Sequence, residues 1–372
     1  VNSKNVVSVL MQHFALACMV SVIWVILGYS LAFSEGNEWI GGFSNIFMNA
    51  IDVNSPSGSI PESLFATFQM TFAIITPALM IGAFVERIKF SAMLIFLSMW
   101  LLVVYVPVTH WVWGGGILSS WGTMDFAGGI VVHATAGTAA LVTALTLGKR
   151  RGFPKSITPP HSPILTMIGA SMLWIGWFGF NAGSALGANG GAGMAMLVTH
   201  ISAATASLVW MFIEWRRFGK PSLIGIVTGM VAGLATVTPA SGYIGVPGGL
   251  VLGFFGGLFC YLAVDYIRGK LQIDDSLDVF AVHGVGGILG TLLVAFLATS
   301  TFSGLGLAEG QTAVSQFFVQ LKAVVLTVVW TSVFTYLILK ITSFIVPLRV
   351  DEQEEIEGLD LRSHGEKGYH SD

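Results

Sequence analysis

The sequence predicts an all-α polytopic membrane protein. Its 372 residues are 54% hydrophobic and only 10% charged, and the mean hydropathy is +0.78. A soluble domain of this length needs a charged, solvated surface, so the composition indicates that most of the chain lies in a lipid bilayer. The 45 glycines agree with this, because small residues allow membrane helices to pack closely. Nothing in the net charge of −3 favours a nucleic-acid partner.

Apolar runs of spanning length define ten predicted helices. They cover approximately residues 7–33, 62–85, 91–110, 126–147, 163–183, 194–214, 222–240, 245–266, 279–298 and 314–346. Lys and Arg occur in every second loop, and the alternate loops contain neither residue. Because basic loops stay on the cytoplasmic side, both ends of the sequence are predicted to be cytoplasmic. Cys18 and Cys260 lie inside apolar runs, so no disulfide framework is expected.

Two histidines in apolar spans reveal an internal repeat. His133 lies in the fourth span and His283 in the ninth, and each is followed at the same offset by a glycine, Gly137 or Gly287. Five spans separate the two histidines, so their helices run in opposite directions. This is the pattern of inverted five-helix repeats with a site at their interface, followed by an extra C-terminal helix. The first repeat is one helix short, so we expect a first helix to be missing from this sequence, which begins with Val1.

The last residues differ from the rest in composition. We predict a transmembrane transporter domain over residues 1–346 and a cytoplasmic tail over residues 347–372. The tail is rich in Asp and Glu, and composition alone favours a solvated, disordered end.

The paired histidines are the strongest candidates for a functional site. Ionisable groups inside a membrane usually mark a pathway for a solute or a proton. A neutral imidazole can donate a hydrogen bond from one nitrogen and accept one at the other, which suits a small polar solute or a relayed proton. Neither histidine has further ligands at the spacing of a zinc site, so no metal and no cofactor are predicted. No nucleophile–base pair points to an enzyme.

Other polar and aromatic residues are predicted near the outer side. Asp125 and Asp278 open the two histidine helices and are expected to be N-caps, and Asp125 could also organise a cation site. Trp113, Trp177 and Phe180 belong to an aromatic group near the span ends, which is typical of an interfacial belt and also suits cation–π binding. Ser184 would be an exposed loop serine unless it supplies a hydroxyl acceptor.

Several ordered motifs resemble the ammonium transporter (Amt/Rh) family over nearly the whole chain. The matching stretches are Tyr29-Ser-Leu-Ala-Phe33, Phe68-Gln-Met-Thr-Phe-Ala73, Glu86-Arg-Ile-Lys-Phe-Ser91, Trp113-Gly-Gly-Gly116, Asp125-Phe-Ala-Gly-Gly129, Trp177-Phe-Gly-Phe-Asn-Ala-Gly-Ser184, Val279-Phe-Ala-Val-His-Gly284, Glu357-Gly-Leu-Asp360 and His364-Gly-Glu366. Trp113 fits the Amt branch better than the Rh branch. The family's first helix, with its Phe-Tyr-Gly-Gly stretch, has no counterpart here.

The resemblance implies an eleven-helix fold assembled as a homotrimer in the bilayer, with one pore per subunit. It implies that Trp113, Ser184 and Phe72 form an outer ammonium-recruitment site shaped by Asp125. Phe72 and Phe180 would be a stacked phenyl gate beneath that site.

The family pattern also assigns the deeper residues. His133 and His283 would be the twin histidines of the pore, with Trp177 beside them. The tail resembles the segment through which a PII-type (GlnK-like) nitrogen-signalling protein regulates these transporters.

The sequence therefore predicts an ammonium transporter of the cell (inner or plasma) membrane. It would recruit ammonium outside, remove a proton, and conduct ammonia with coupled proton transfer; methylammonium would serve as an analogue. Two alternatives remain open. One is an ammonium sensor without large flux, and the other is an electroneutral gas channel of the Rh type.

Overall fold

Ten helices, which we number α1 to α10, correspond to the ten predicted spans. The structure is a computed structural model, described here for residues 1–156 and 158–369. The first six helices are α1 (Ser3–Phe33), α2 (Glu62–Phe84), α3 (Phe90–Ser120), α4 (Gly129–Leu147), α5 (Pro163–Gly183) and α6 (Gly190–Phe218). The last three are α8 (Val246–Lys270), α9 (Phe280–Leu297) and α10 (Ala313–Ile345). These nine are long and apolar enough to cross a membrane, while α7, Leu223–Val237, is apolar but shorter. The prediction of a polytopic all-α membrane protein is confirmed.

Little other secondary structure is present in the described residues. In the loop before α2, two strands of two residues each, β1 (Pro56–Ser57) and β2 (Ile60–Pro61), form an antiparallel hairpin. Helix α3 runs further than the predicted 91–110, because its helical turns continue to Trp113 and a short helix, Ile117–Ser120, follows the Gly114–Gly116 turn. Helix α4 begins at Gly129 rather than 126, since Gly128 has a φ of 114° and adopts a left-handed conformation.

The helix packing repeats with a shift of five spans. In the first half α1 packs against α2 and α3, and α2 packs against α4; in the second half α6 packs against α7 and α8, and α7 packs against α9. Helices α4 and α9 also pack against each other, and α10 packs against both of them. An odd shift reverses the direction of each matched helix, so the two halves are the predicted inverted repeats and α10 is the extra helix.

The crossing of α4 and α9 depends on glycine. A Cβ atom added at Gly137 would lie 2.3 Å from the Cα of Gly284, and one added at Gly287 would lie 2.5 Å from the Cβ of His133. Real Cβ atoms do not approach so closely, so the backbones of the two helices are in direct contact here. This contact lets the histidines of the two repeats reach each other.

The tail packs against the beginning of the chain. It contains α11, Glu352–Glu357, and α12, Leu359–His364. The Ser8 backbone N–H donates to Asp360 Oδ1 at 2.8 Å, and the Leu359 N–H donates to Asn5 Oδ1 at 2.8 Å. These tertiary hydrogen bonds explain why the acidic segment is helical, although its composition alone favours disorder. We call this face of the protein the tail side, and the opposite face the Trp113 side.

An arginine network closes the tail side. Arg150 donates to Glu86 Oε2 at 2.8 Å and to Asp274 Oδ1 at 2.8 Å, and Arg87 donates to the Asp274 carbonyl oxygen at 2.6 Å. Hydrogen bonds to Arg150 hold the pKa of Asp274 below its usual value, although burial opposes this. The network joins the loops after α2 and α4 to the loop that precedes α9, and so fixes the start of the His283 helix.

We predict that Gly137→Ala separates α4 from α9. The new methyl group would overlap the backbone of Gly284, and overpacking of this kind costs about 1–3 kcal/mol. The thermal midpoint of the purified protein in detergent should fall. Gly176→Ala on α5 is the matched control, because a Cβ there meets no heavy atom within 4 Å among the described residues. Equal midpoints for both variants would contradict a tight crossing.

Candidate functional site

His133 and His283 meet at the centre of the helix crossing. Their Nδ1 atoms are 3.2 Å apart, and their ring centroids are 5.2 Å apart with an interplanar angle of 21°. Each lies in a π-helical turn, Gly129–Ala134 or Phe280–Gly284. Such turns insert one residue into an α-helix and occur frequently at functional sites. The equivalent turns give the two rings equivalent positions in the two repeats.

The buried pair has unused hydrogen-bonding capacity. His133 is fully buried and His283 is 7% exposed. When both rings are neutral, one Nδ1 donates to the other, and each ring keeps its Nε2 for another partner. His133 Nε2 has no partner among the described residues. The pair therefore offers polar contacts to a small solute inside an otherwise apolar interior.

An aromatic column leads from the Trp113 side to the histidines. It consists of Trp113, Phe72, Phe180 and His133, in that order. Centroid distances between neighbours are 5.4 Å for Trp113–Phe72, 4.5 Å for Phe72–Phe180 and 6.0 Å for Phe180–His133. Phe72 is only 1% exposed. The column is closed to a hydrated ion in this conformation.

Trp177 lines the same region from α5. Its ring stacks on His133 at a centroid distance of 5.4 Å with an interplanar angle of 18°, and it contacts Phe180 at 5.1 Å. Trp177 therefore contacts both His133 and Phe180.

Asp125 joins the outer aromatic residues to the His133 helix. Its carboxylate accepts hydrogen bonds from four backbone N–H groups, those of Gly128, Gly129, Ile130 and Val131, at 2.6–3.1 Å. Its carbonyl oxygen accepts from Trp113 Nε1 at 2.9 Å. Burial raises the pKa of Asp125 to about 6, and the four N–H donors oppose that rise. Since the donors occupy both oxygens, Asp125 shapes the site by capping α4 and orienting Trp113.

Ser184 lies at the end of α5, near the top of the column. Its hydroxyl donates to the Phe180 carbonyl oxygen at 2.8 Å, one turn earlier in the helix. The hydroxyl oxygen keeps its lone pairs for a donor such as an ammonium N–H. Ser184 is half-buried.

The expectation that Asp278 caps the second histidine helix was wrong. Asp278 has a positive φ of 58°, and its carboxylate accepts a hydrogen bond from Arg268 at 2.9 Å. The cap is Asp275, whose Oδ2 accepts from the Phe280 N–H at 2.7 Å. Asp275 precedes His283 by eight residues, as Asp125 precedes His133. Comparing the offset between aspartate and histidine in the two repeats would have identified Asp275 as the cap.

The two tail-side carboxyl groups differ from ordinary aspartates. Burial raises the pKa of Asp275 to about 6, and hydrogen bonds from backbone N–H groups oppose the shift. Burial also raises the pKa of Asp278 to about 7, although Arg268 opposes this. Both groups lie at the tail-side end of the His283 helix.

Gln320 on α10 is a further site residue that the sequence analysis missed. Its Oε1 accepts from the Met124 N–H at 2.8 Å, and its Nε2 donates to the Met124 carbonyl oxygen at 2.7 Å. The side chain thus holds both polar groups of the residue before Asp125. A glutamine inside an apolar span was the available signal.

The other histidines among the described residues lie elsewhere, and no group of three or more metal-ligating side chains occurs in this part of the chain. Both ring nitrogens of His110 contact carbonyl oxygens, those of Ala32 and Asn37, at 2.9 and 2.8 Å. His110 therefore ties the loop after α1 to α3, close to Trp113. His200 stacks on Trp174 at 5.1 Å and is exposed on α6.

The fold and the site define a polytopic membrane transport protein with a buried histidine pair at the crossing of its two repeats. The profile of the Ammonium Transporter Family matches residues 1–369. The ammonium transporter of Bacillus subtilis (strain 168) is 43% identical over 373 residues, which cover 99% of this chain and 92% of that protein. The chain belongs to the ammonium transporter family. Its substrate is ammonium or ammonia, and it is not an enzyme.

Solved structures agree with this assignment. A "Sensor Amt Protein" superposes with a TM-score of 0.90 at 28% identity, covering 98% of this chain and 91% of that chain. Mep2 of Saccharomyces cerevisiae superposes with a TM-score of 0.84 at 34% identity, covering 95% of this chain and 82% of that chain.

We predict that Asp275→Ala impairs transport more than Asp278→Ala. Removing the cap frees backbone N–H groups next to His283 and costs about 0.5–2 kcal/mol of helix stability, whereas removing Asp278 leaves the cap intact. Initial rates of methylammonium uptake, corrected for the amount of folded protein, measure the difference. If Asp278→Ala proved the more damaging change, the assignment of the cap would be incorrect.

Proposed function

We propose that the protein recruits ammonium on the Trp113 side, removes a proton and conducts ammonia past His133 and His283, with coupled proton transfer. The observation that carries this proposal is the buried contact between the two imidazoles at the end of a closed aromatic column. The column blocks a hydrated cation, and the imidazoles offer contacts to a neutral molecule that forms hydrogen bonds.

Dehydration decides which form of the solute crosses. A bare monovalent ion in an apolar passage pays an effective penalty of several kcal/mol, whereas a cation–π contact returns only about 0.5–2 kcal/mol. Loss of a proton converts ammonium into neutral ammonia and removes most of this penalty. Potassium has no proton to lose, so the same passage excludes it.

The recruitment site is proposed to consist of Trp113, Phe72 and Ser184, oriented by Asp125. The ring of Trp113 offers a π face to the cation, and the hydroxyl of Ser184 offers an acceptor. The indole N–H of Trp113 is already bonded to the Asp125 carbonyl oxygen, which supports a fixed ring orientation. Phe72 and Phe180 are then the gate below the site.

A route for the proton also has structural support. The imidazoles are within hydrogen-bonding distance of each other. Asp275 and Asp278, whose pKa values lie near neutrality, stand at the tail-side end of the same helix. A proton passed between the rings could leave toward these carboxyl groups, and transport would then carry net charge.

We predict that His133→Ala and His283→Ala each abolish ammonium-dependent current in proteoliposomes. Each change removes one of the two hydrogen-bonding rings from the apolar passage. The matched control is His200→Ala, because His200 is a histidine of α6 outside the pair and should leave the current unchanged. Potassium should give no current in any of these proteins. Undiminished, ammonium-selective current in both alanine variants would remove the histidines from the mechanism.

Measurements on the same proteoliposomes distinguish two other candidate functions from the proposed one. The likeness to a structure titled "Sensor Amt Protein" favours a receptor as the second candidate, and ammonium binding without flux would support it. Ammonium-driven flux without net charge would instead support an Rh-type gas channel.

We further propose the orientation and assembly of the protein. Basic loops share the tail side, which supports a cytoplasmic tail in a cell (inner or plasma) membrane under the positive-inside rule. Residues 347–372 would form a regulatory segment beside the transporter domain, residues 1–346. Family membership supports a homotrimer with one pore in each subunit.

The docked tail supports a regulatory contact on that side. Arg349 donates to Glu355 Oε2 at 2.8 Å, and the Arg151 N–H donates to Glu355 Oε1 at 2.6 Å. A partner that binds α11 therefore also contacts the loop after α4. We propose a PII-type (GlnK-like) protein as this partner.

We predict that truncation after Val346 abolishes binding of a PII-type protein to the transporter in nanodiscs. The truncation removes α11 and α12, which form the proposed contact surface. The Glu309→Ala variant, changed in the loop before α10, should bind as the unmodified protein does. Biolayer interferometry measures both. Equal binding by the truncated protein would place the regulator elsewhere.

A further inference from the structure

A chain of buried hydrogen bonds anchors the indole of Trp177. Trp177 Nε1 donates to Thr238 Oγ1 at 2.9 Å. The Thr238 hydroxyl itself donates to the Leu234 carbonyl oxygen at 2.7 Å, and Asn181 Oδ1 lies 3.3 Å from it. Asn181 Nδ2 in turn donates to Thr199 Oγ1 at 2.8 Å. Asn181, Thr199 and Thr238 are fully buried. These residues join α5 to α6 and α7, directly behind the Trp177 ring.

The anchor determines which part of Trp177 faces the solute path. Because the indole N–H is bonded to Thr238, the ring presents its π face to His133, at a centroid distance of 5.4 Å and an angle of 18°. His133 Nε2 has no partner among the described residues. His133 Nε2 thus remains available to a solute, although the neighbouring ring of Trp177 carries an N–H group that could donate to it.

We propose that Thr238 is a positioning residue that sets solute selectivity by keeping the Trp177 N–H away from His133, and that the Leu234 carbonyl oxygen holds the Thr238 hydroxyl in place. The inference rests on the proposed function, because it assumes that solute passes His133. Without Thr238 Oγ1, the buried indole N–H must find another acceptor. An imidazole nitrogen of the stacked His133 is such an acceptor, and a tryptophan bonded there would compete with ammonia.

The test compares Thr238→Val with Thr238→Ser. Valine keeps the approximate shape and removes the hydroxyl, whereas serine keeps the hydroxyl. Ammonium current and methylammonium uptake are measured in proteoliposomes and corrected for folded protein. We expect valine to lower ammonium current roughly tenfold, on the scale of one hydrogen bond. We also expect it to change the ratio of methylammonium to ammonium transport, and we expect serine to preserve both values.

A double-mutant cycle separates this role from a purely structural one. Phenylalanine at position 177 has no N–H, so Thr238→Val should cause little further loss in the Trp177→Phe background. If valine reduces the amount of folded protein too far, Thr238→Ala removes the same hydroxyl and replaces it in the cycle.

Three results would overturn the inference. They are equal transport by the valine and serine variants, an equal loss from Thr238→Val in both backgrounds, and an unchanged ratio of the two solutes despite lower rates. Failure of the proposed function is a separate outcome, because it would appear as absent or histidine-independent ammonium current in the unmodified protein.

Discussion

The close contact between α4 and α9 is the constraint on which the site depends. Without side chains at Gly137 and Gly284, the two backbones touch, and the histidines of opposite repeats come within 3.2 Å. In a membrane the hydrophobic effect does not drive helices together, so close packing of small residues is a main source of association. The same glycines that stabilise the fold therefore create the polar centre of the passage.

The structure avoids a permanent charge at that centre. The carboxylates that cap the two histidine helices, Asp125 and Asp275, lie at opposite ends of the pathway because the helices run in opposite directions. Each carboxylate is stabilised by backbone N–H groups at a helix N-terminus, where the helix dipole also favours negative charge. The two imidazoles and the rings of Phe72, Phe180 and Trp177 lie between them. A passage of this kind favours a solute that can become neutral.

The sequence predicted the features that depend on residue type, and missed those that depend on three-dimensional contacts. The spans, the repeat and the histidine pair were visible because apolar runs and isolated histidines contrast with their surroundings. Asp278 was expected to be the cap, but the capping carboxylate belongs to Asp275, which precedes His283 by the same eight residues that separate Asp125 from His133. Thr238 carried no signal, since threonine is common in membrane helices and only its contact with Trp177 distinguishes it. The order of the tail also depends on distant partners, Asn5 and Ser8.

A closed column is compatible with transport, because its barrier consists of side chains rather than backbone. Phe72 and Phe180 meet at an angle of 58°, and each ring can move when its side chain changes rotamer. Under the proposed function, passage of ammonia would need only a local movement of these rings, whereas a hydrated cation would need the helices to separate. The glycine contact between α4 and α9 resists that separation. The proposed selectivity therefore requires both a rigid helix crossing and a mobile pair of rings.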